Sequence, residues 1–216
     1  MRLVLVGPPG AGKGTQAQFL AAHFNVPHIS TGDIFRSNLK GGTALGLEAK
    51  KYMDKGELVP DSVTNDMVRD RLTQNDAANG FLLDGYPRNV AQAEVLRTAL
   101  SNLNLKLDAA LELNVDNDEV ITRLSGRRTC SNCGKVWHIV YEKPAREGVC
   151  DSCNGELIQR EDDKAEVISR RLEVYKEQTA PIISFYRNEG LLITVAAVGS
   201  VQEITDRCIA ALSQVR

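Results

Sequence analysis

Residues 7–15 read Gly-Pro-Pro-Gly-Ala-Gly-Lys-Gly-Thr and lie between an apolar run at 3–6 and a helical pattern beginning at Lys13. No other segment constrains the fold as strongly. Glycines at these positions let successive backbone N–H groups converge on phosphate oxygens, and the helix start behind them adds its dipole. Lys13 brings a mobile point charge to the outer phosphates. Four residues between Gly7 and Gly12-Lys13 match the spacing of a phosphate-binding loop, which sits between a strand and a helix. Gly10, Ala11, Gly12, Lys13, Gly14 and Thr15 are therefore the candidate ligands of a nucleoside triphosphate. The general motif has Ser or Thr directly after the lysine. Here Gly14 intervenes and the hydroxyl is that of Thr15, which leaves the usual hydroxyl–Mg²⁺ contact in question.

A loop of this kind needs a parallel sheet to hold it, and the rest of the sequence supplies the pattern. Apolar runs at 3–6, 27–30, 80–84, 108–114 and 191–195 read as strands. Helical patterns cover 13–23, 33–40, 44–55, 61–74, 90–100, 116–125, 165–188 and 201–212, with starts signalled at Thr31, at Asp61 after Pro60 and at Asp116. The alternation predicts an α/β fold with helices over a parallel sheet. Two stretches interrupt it. Residues 31–60 are helical without a strand of their own and predict a projecting arm. Residues 127–163 hold two Cys-x2-Cys pairs and turn signals and predict an inserted lid. The core is then 1–30, 61–126 and 164–216.

The 216 residues carry a formal net charge of -2, so no overall basic field favours nucleic acid or an anionic membrane as a partner. Any polyanion must be held by local cations. Neither an export signal nor a run long enough to span a membrane is visible, which places the expected site of action in the cytoplasm, as a monomer. Thiols stay reduced there. Cys130, Cys133, Cys150 and Cys153, with sixteen residues between the pairs, fit a four-thiolate metal site. Four protein ligands leave no open position, so the metal is expected to be structural. Zn²⁺ fits best, with Fe and Co left open by the spacing. His138 could serve as a ligand, but four cysteines already fill the site. Cys208, among apolar residues of the last helix, reads as a core thiol.

Further motifs follow in a telling order: Ser30-Thr31-Gly32-Asp33, the run from Gly80 to Arg88, Gly126-Arg127-Arg128, Gln159-Arg160-Glu161-Asp162-Asp163 and Arg170-Arg171-Leu172. With the phosphate loop, they make the whole chain resemble adenylate kinases, in the long bacterial form whose lid carries four metal-ligand positions. The resemblance implies a P-loop nucleoside monophosphate kinase fold. This is a five-stranded parallel sheet flanked by helices, with an inserted NMP-binding arm and a metal-binding lid. It implies ATP and AMP as substrates, and Mg²⁺ brought with ATP.

Residue roles follow from the same resemblance. Arg36 and Arg88 hold the acceptor phosphate, Arg123 and Arg127 the donor phosphates, and Arg160 and Arg171 arrive with the lid. Guanidinium groups suit this because they stay charged and bind phosphate oxygens in pairs. Asp84, at the carboxyl edge of the sheet, is placed to orient Mg²⁺ through its waters, with Asp33 as a possible assistant or a helix-start charge. Asp162 and Asp163 orient the lid arginines. Thr31, the backbone of Glu57, Leu58 and Val59, the turn Gly85-Tyr86-Pro87 and the amide of Gln92 line the acceptor-base site. Val136 and Trp137 offer stacking area to the donor base, and backbone near Gly199 and Val201 closes its pocket.

Other classes were weighed. A regulatory P-loop NTPase needs no acceptor site, which Arg36, Arg88 and Gln92 supply. A nucleic-acid module on the cysteine knuckle lacks interleaved basic and aromatic residues. A UMP/CMP kinase shares most of the motifs and is the nearest alternative.

Overall fold

The computed structural model describes residues 1–215. Strand β1 (Arg2–Val6) is buried on both faces: Leu3 and Leu5 join one apolar cluster, Val4 and Val6 the other. A strand with that double burial belongs at the centre of a parallel sheet. It pairs with β3 (Phe81–Asp84) on one side and β4 (Ala109–Asn114) on the other. The edges are β2 (His28–Ser30) and β8 (Leu192–Ala196), so the order is β2-β3-β1-β4-β8, all parallel. Helices α1 (Lys13–Phe24) and α9 (Val201–Leu212) cover one face. Helices α4 (Asp61–Leu72), α5 (Val90–Asn102) and α8 (Pro181–Asn188) cover the other. The chain leaves β1 toward the far edge and returns to both its sides, opening a crevice at the carboxyl ends of the strands where residues 7–12 sit.

Helices α2 (Thr31–Lys40) and α3 (Ala44–Met53) follow β2 without an intervening strand and pack on a small cluster of their own around Phe35, Ala49 and Val59. Their contact depends on Gly46, where a Cβ would lie 2.2 Å from Leu39 N. After α6 (Asn117–Ser125) comes a three-stranded antiparallel sheet, β6-β5-β7, made of β5 (Arg127–Cys130), β6 (Val136–His138) and β7 (Leu157–Ile158).

The structure corrects the helix plan at one helix and shows how three others, starting at the expected positions, are capped. The expected helix 165–188 is two helices, α7 (Ala165–Val174) and α8, joined by a π-turn at Tyr175–Thr179. Pro181 is the cause: it has no N–H to continue the ladder, and Ala180 N reaches back five residues to Tyr175 O at 2.8 Å. Helix α2 starts at Thr31 with Ser30 as its cap, the Ser30 Oγ accepting from Asp33 N at 3.2 Å. Neither Asp61 nor Asp116 caps its helix through the side chain. Asp61 uses its carboxylate elsewhere.

Candidate active site

The phosphate loop is held open by left-handed backbone at Gly10 (φ 81°) and Gly12 (φ 88°). At Gly10 a Cβ would stand 2.9 Å from Leu124 Cγ and 3.1 Å from Val120 O, so α6 packs directly on the loop and only glycine fits. Lys13 Nζ donates to Gly7 O and Pro8 O, both at 2.8 Å, and so lies folded over its own loop. Burial pulls its pKa down to about 8, with Arg88, Arg171 and Arg127 pushing the same way and Asp84 opposing. The group is thus cationic near neutrality, close to several other cations.

Asp84 ends β3 beside the loop: a Cβ on Gly14 would be 3.4 Å from Asp84 Oδ2. Burial favours its protonated form, but His28, Lys13 and Arg88 outweigh burial and hold the carboxyl below its ordinary range. His28 Nε2 is buried and stands 3.5 Å from Asp84 Oδ2, at the long limit of a hydrogen bond. Nothing in the sequence around His28 signals this contact. Its link to Asp84 comes from β2 lying beside β3, with Ser30 opposite Asp84, and strand order is not written in the residues themselves.

The arginines are interlocked with two acids. Arg127 makes a fork on Asp163, through Nε at 2.8 Å and Nη2 at 2.5 Å, and Arg171 Nη1 reaches the same carboxylate at 3.1 Å. Arg171 also pairs with Asp162, at 2.7 Å to its carbonyl and 3.2 Å to its carboxylate. The Asp163 side chain is completely buried. Burial lowers the pKa of Arg171, and nearby Arg127 lowers it further against the two acids. Burial and then Arg127 and Arg36 bring Arg160 down to about 9, and its Nε donates to Thr129 Oγ1 at 2.8 Å. Burial and Arg171 bring Arg88 to about 10, although its side chain is reached by solvent in the open cleft, so water screens part of that effect. Asp162 and Asp163 therefore stand as the counter-charges that let these cations share one cleft.

That cleft, about 610 Å³ to its open mouth, is lined by Thr31, Arg36, the 56–59 turn, Gly85, Arg88, Gln92, Asp162 and Arg171 among others. Arg36 rests on Asp33 at 2.5 Å. Thr31 Oγ1 donates to Gly85 O at 2.8 Å, and Arg88 Nε to the same carbonyl at 2.9 Å. The Glu57 carboxylate turns away to Arg170 at 2.7 Å, leaving only backbone and stem at the cleft. Tyr86 and Pro87 do not line it. Tyr86 is buried in the core, its hydroxyl donating to Asn65 Oδ1 at 2.8 Å, and burial raises its pKa.

On the donor side one expectation is corrected. Trp137 is 6% exposed and packs with Cys130, Cys150 and Leu157, and the Lys135 ammonium sits 4.3 Å from its ring centre. A ring so enclosed presents no face to a base, which leaves the partly exposed Val136 and the strand backbone. The Val201 carbonyl already accepts from Gln16 Nε2 at 3.0 Å and Thr205 Oγ1 at 2.8 Å, so it ties α9 to the first turn of α1. Arg123 bridges Glu119 (2.8 Å) and the Ala197 carbonyl (2.8 Å) at the loop before α9.

The four cysteine sulfurs lie within 4.8 Å of one another. Cys130 and Cys153 are 3.4 Å apart, and Cys133 and Cys150 are 3.7 Å apart. Zn–S bonds of about 2.3 Å in a tetrahedron put sulfurs roughly 3.8 Å apart, so the set fits such an ion. Both turns are built alike: Gly134 N donates to Cys130 O at 3.0 Å, and Asn154 N to Cys150 O at 2.8 Å. Gly155 is required because a Cβ there would be 2.8 Å from Cys130 Sγ. His138 points elsewhere, its Nδ1 accepting from Val140 N and Tyr141 N.

Lys13, Asp84, Arg88, Arg127 and Arg171 are thus within electrostatic reach of one another at the phosphate loop, and Arg88 and Arg171 of that set also line the cleft that reaches Gln92. Such a cleft can hold two polyanions end to end and neutralise a group passing between them. Comparison with known proteins agrees with this geometry. The sequence pattern of the family described as adenylate kinase matches residues 5–191. An adenylate kinase of Salinispora tropica is 60% identical over 212 residues, covering 98% of each chain. One from Streptomyces avermitilis is 58% identical, covering 99% of this chain and 98% of the relative. One from Acetivibrio thermocellus is 56% identical over the full length of both.

Proposed function

The chain belongs to the adenylate kinase family, and on that premise we propose that it catalyses ATP + AMP = 2 ADP, with its residues dividing the work as follows. The loop N–H groups and Lys13 grip the triphosphate, joined by Arg123 and Arg127. Arg36 and Arg88 hold the AMP phosphate. Arg160 and Arg171, kept in place by Asp162 and Asp163, close over the phosphoryl in flight. The AMP base lies between Thr31, the 57–59 backbone and Gln92. The protein forms no covalent bond to the phosphoryl; it aligns attacking and leaving oxygens and spreads positive charge around them. Segments 31–60 and 127–163 act as arm and lid over the core, and their closure excludes water, a role for which this enzyme class is the general example.

Asp84, held ionised beside Gly14 and Lys13, is the group that would orient Mg²⁺ on the nucleotide. The ion supplies charge neutralisation at the bridging phosphates. Cys130, Cys133, Cys150 and Cys153 would hold Zn²⁺, which supplies folding free energy to a segment whose own core is only a handful of side chains. The four unpaired thiols suit a reducing cytoplasm, and among the described residues no helix is long and apolar enough to cross a membrane.

The observation that carries the proposal is a second pocket, reaching Gln92, that shares Arg88 and Arg171 with the cations around Lys13 and that a simple hydrolase does not need. A coupled assay with ATP and a panel of AMP, UMP, CMP and GMP tests it. AMP is expected to be preferred by orders of magnitude, and preference for UMP or CMP would move the chain to the pyrimidine kinases.

A further inference from the structure

Gln92 is 1% exposed, and both ends of its amide are engaged. Its Oε1 accepts from Arg88 N at 2.7 Å, and its Nε2 donates to Asp61 Oδ1 at 2.7 Å. These partners have fixed polarity, since a backbone N–H only donates and an ionised carboxylate only accepts. The orientation of an amide is otherwise a choice between two nearly isosteric flips. Asp61 is itself fixed: Asn89 Nδ2 donates to both its oxygens at 3.0 Å, while Asn89 Oδ1 caps α5 by accepting from Gln92 N at 2.8 Å. Each hydrogen bond in the network pairs a donor of fixed polarity with an acceptor of fixed polarity, directly or through Asp61. It lies outside the phosphate machinery, at the first residue of α4, where the 31–60 segment rejoins the sheet.

The geometry points to Asp61 as the positioning residue that sets acceptor-base selectivity, by locking the Gln92 amide in the orientation that suits a 6-aminopurine. The inference rests on the reading that Gln92 meets the acceptor base. In the locked orientation the amide has one hydrogen on Nε2 and one lone pair on Oε1 left over. That pair complements the ring N1 acceptor and 6-amino donor of adenine. A 6-oxopurine reverses both, with an N1–H donor and an O6 acceptor. To match it the amide must flip, which sets Oε1 against the Asp61 carboxylate and an amide N–H against Arg88 N–H. In a buried site, like-polarity contacts of this kind are costly. Asp61 thus discriminates without touching the nucleotide.

The test compares kcat/KM for AMP and for IMP, which differ at this edge of the base, at saturating ATP. Wild type, Asp61→Ala, Asp61→Asn and Gln92→Ala are measured, with thermal melts to check folding. Asp61→Ala is expected to shrink the AMP-to-IMP ratio about tenfold, the scale of one hydrogen bond to a charged group, with KM for ATP unchanged. Asp61→Asn keeps an acceptor oxygen and should hold close to the wild-type ratio. If Asp61→Ala does not fold, Asp61→Ser, whose oxygen stops one bond short of the carboxylate oxygens, takes its place. A ratio that survives loss of Asp61 but collapses in Gln92→Ala overturns the role of Asp61 and leaves the base site standing. A ratio unmoved even in Gln92→Ala removes the base from Gln92 and both readings with it. An equal fall for AMP and IMP in Asp61→Ala marks a structural residue only and also overturns the inference.

Discussion

Lys13 is expected to matter through charge and not through packing, because its ammonium rests on two carbonyls of its own loop. Lys13→Met should cut turnover by about a hundredfold or more, the scale of one lost transition-state charge contact, while thermal melting stays near wild type. Its pKa of about 8 adds a pH signature. Below that value the ammonium is charged and attracts the triphosphate; as pH rises through about 8 the charge is lost. A profile of kcat/KM for ATP, which reports the free enzyme, should therefore fall on the alkaline side of about pH 8. A profile flat to pH 10 would contradict the lysine's role. Asp163 predicts the opposite balance. Its fully buried carboxylate holds both Arg127 and Arg171, so Asp163→Ala strands two guanidinium groups and should cost about 3 kcal/mol in denaturant unfolding, as breaking a buried pair does. Lys13 was legible from spacing alone, since the loop is continuous in sequence. His28 and Asp61 were not, because their partners Asp84 and Gln92 lie 56 and 31 positions away and meet them only through sheet order and helix packing.

At the scale of elements, the strands could be read to within a residue or two from short apolar runs, whereas the helix through 165–188 could not be read as broken. The apolar pattern persists across Tyr175–Thr179, and only Pro181 signals the interruption. The antiparallel sheet of β5, β6 and β7 also escaped the pattern, its strands being only two to four residues long. Trp137 was misread for a related reason: an aromatic beside a nucleotide motif suggests stacking, but this segment is so short of apolar residues that it uses the ring as its core. Its emission should therefore follow the metal. Stripping the ion with a thiol-competing chelator is expected to shift Trp137 emission to the red and start proteolysis within 127–163, while a bisubstrate nucleotide added to the holo-protein changes the spectrum less. Emission indifferent to metal would separate the indole from the sulfur cluster. In the helical arm, Gly46→Ala should destabilise by about 1–3 kcal/mol through overpacking against the backbone of Leu39, most visibly as a raised KM for AMP.

For the whole molecule, the alternation of strands and helices was enough to predict the five-stranded parallel sheet, and the positions of the cysteines were enough to predict their cluster. What the residues do not state is how near the peripheral segments come to each other. Lys40 at the end of α2 donates to Ser131 O in the first cysteine turn at 3.1 Å, and Arg170 on α7 holds Glu57 at 2.7 Å. Both contacts join residues far apart in sequence: the first ties the 31–60 segment to the first cysteine turn, the second ties it to α7. The central claim is that phosphoryl passes from nucleotide to nucleotide and not to solvent. Following turnover by the purified protein with phosphorus NMR, once from equimolar ATP and AMP and once from ADP alone at the same total nucleotide, tests it most directly. Both mixtures should converge on one composition of ATP, ADP and AMP, with no inorganic phosphate accumulating. Growth of an inorganic phosphate signal at the rate of ATP loss, with no ADP formed from AMP, would contradict it.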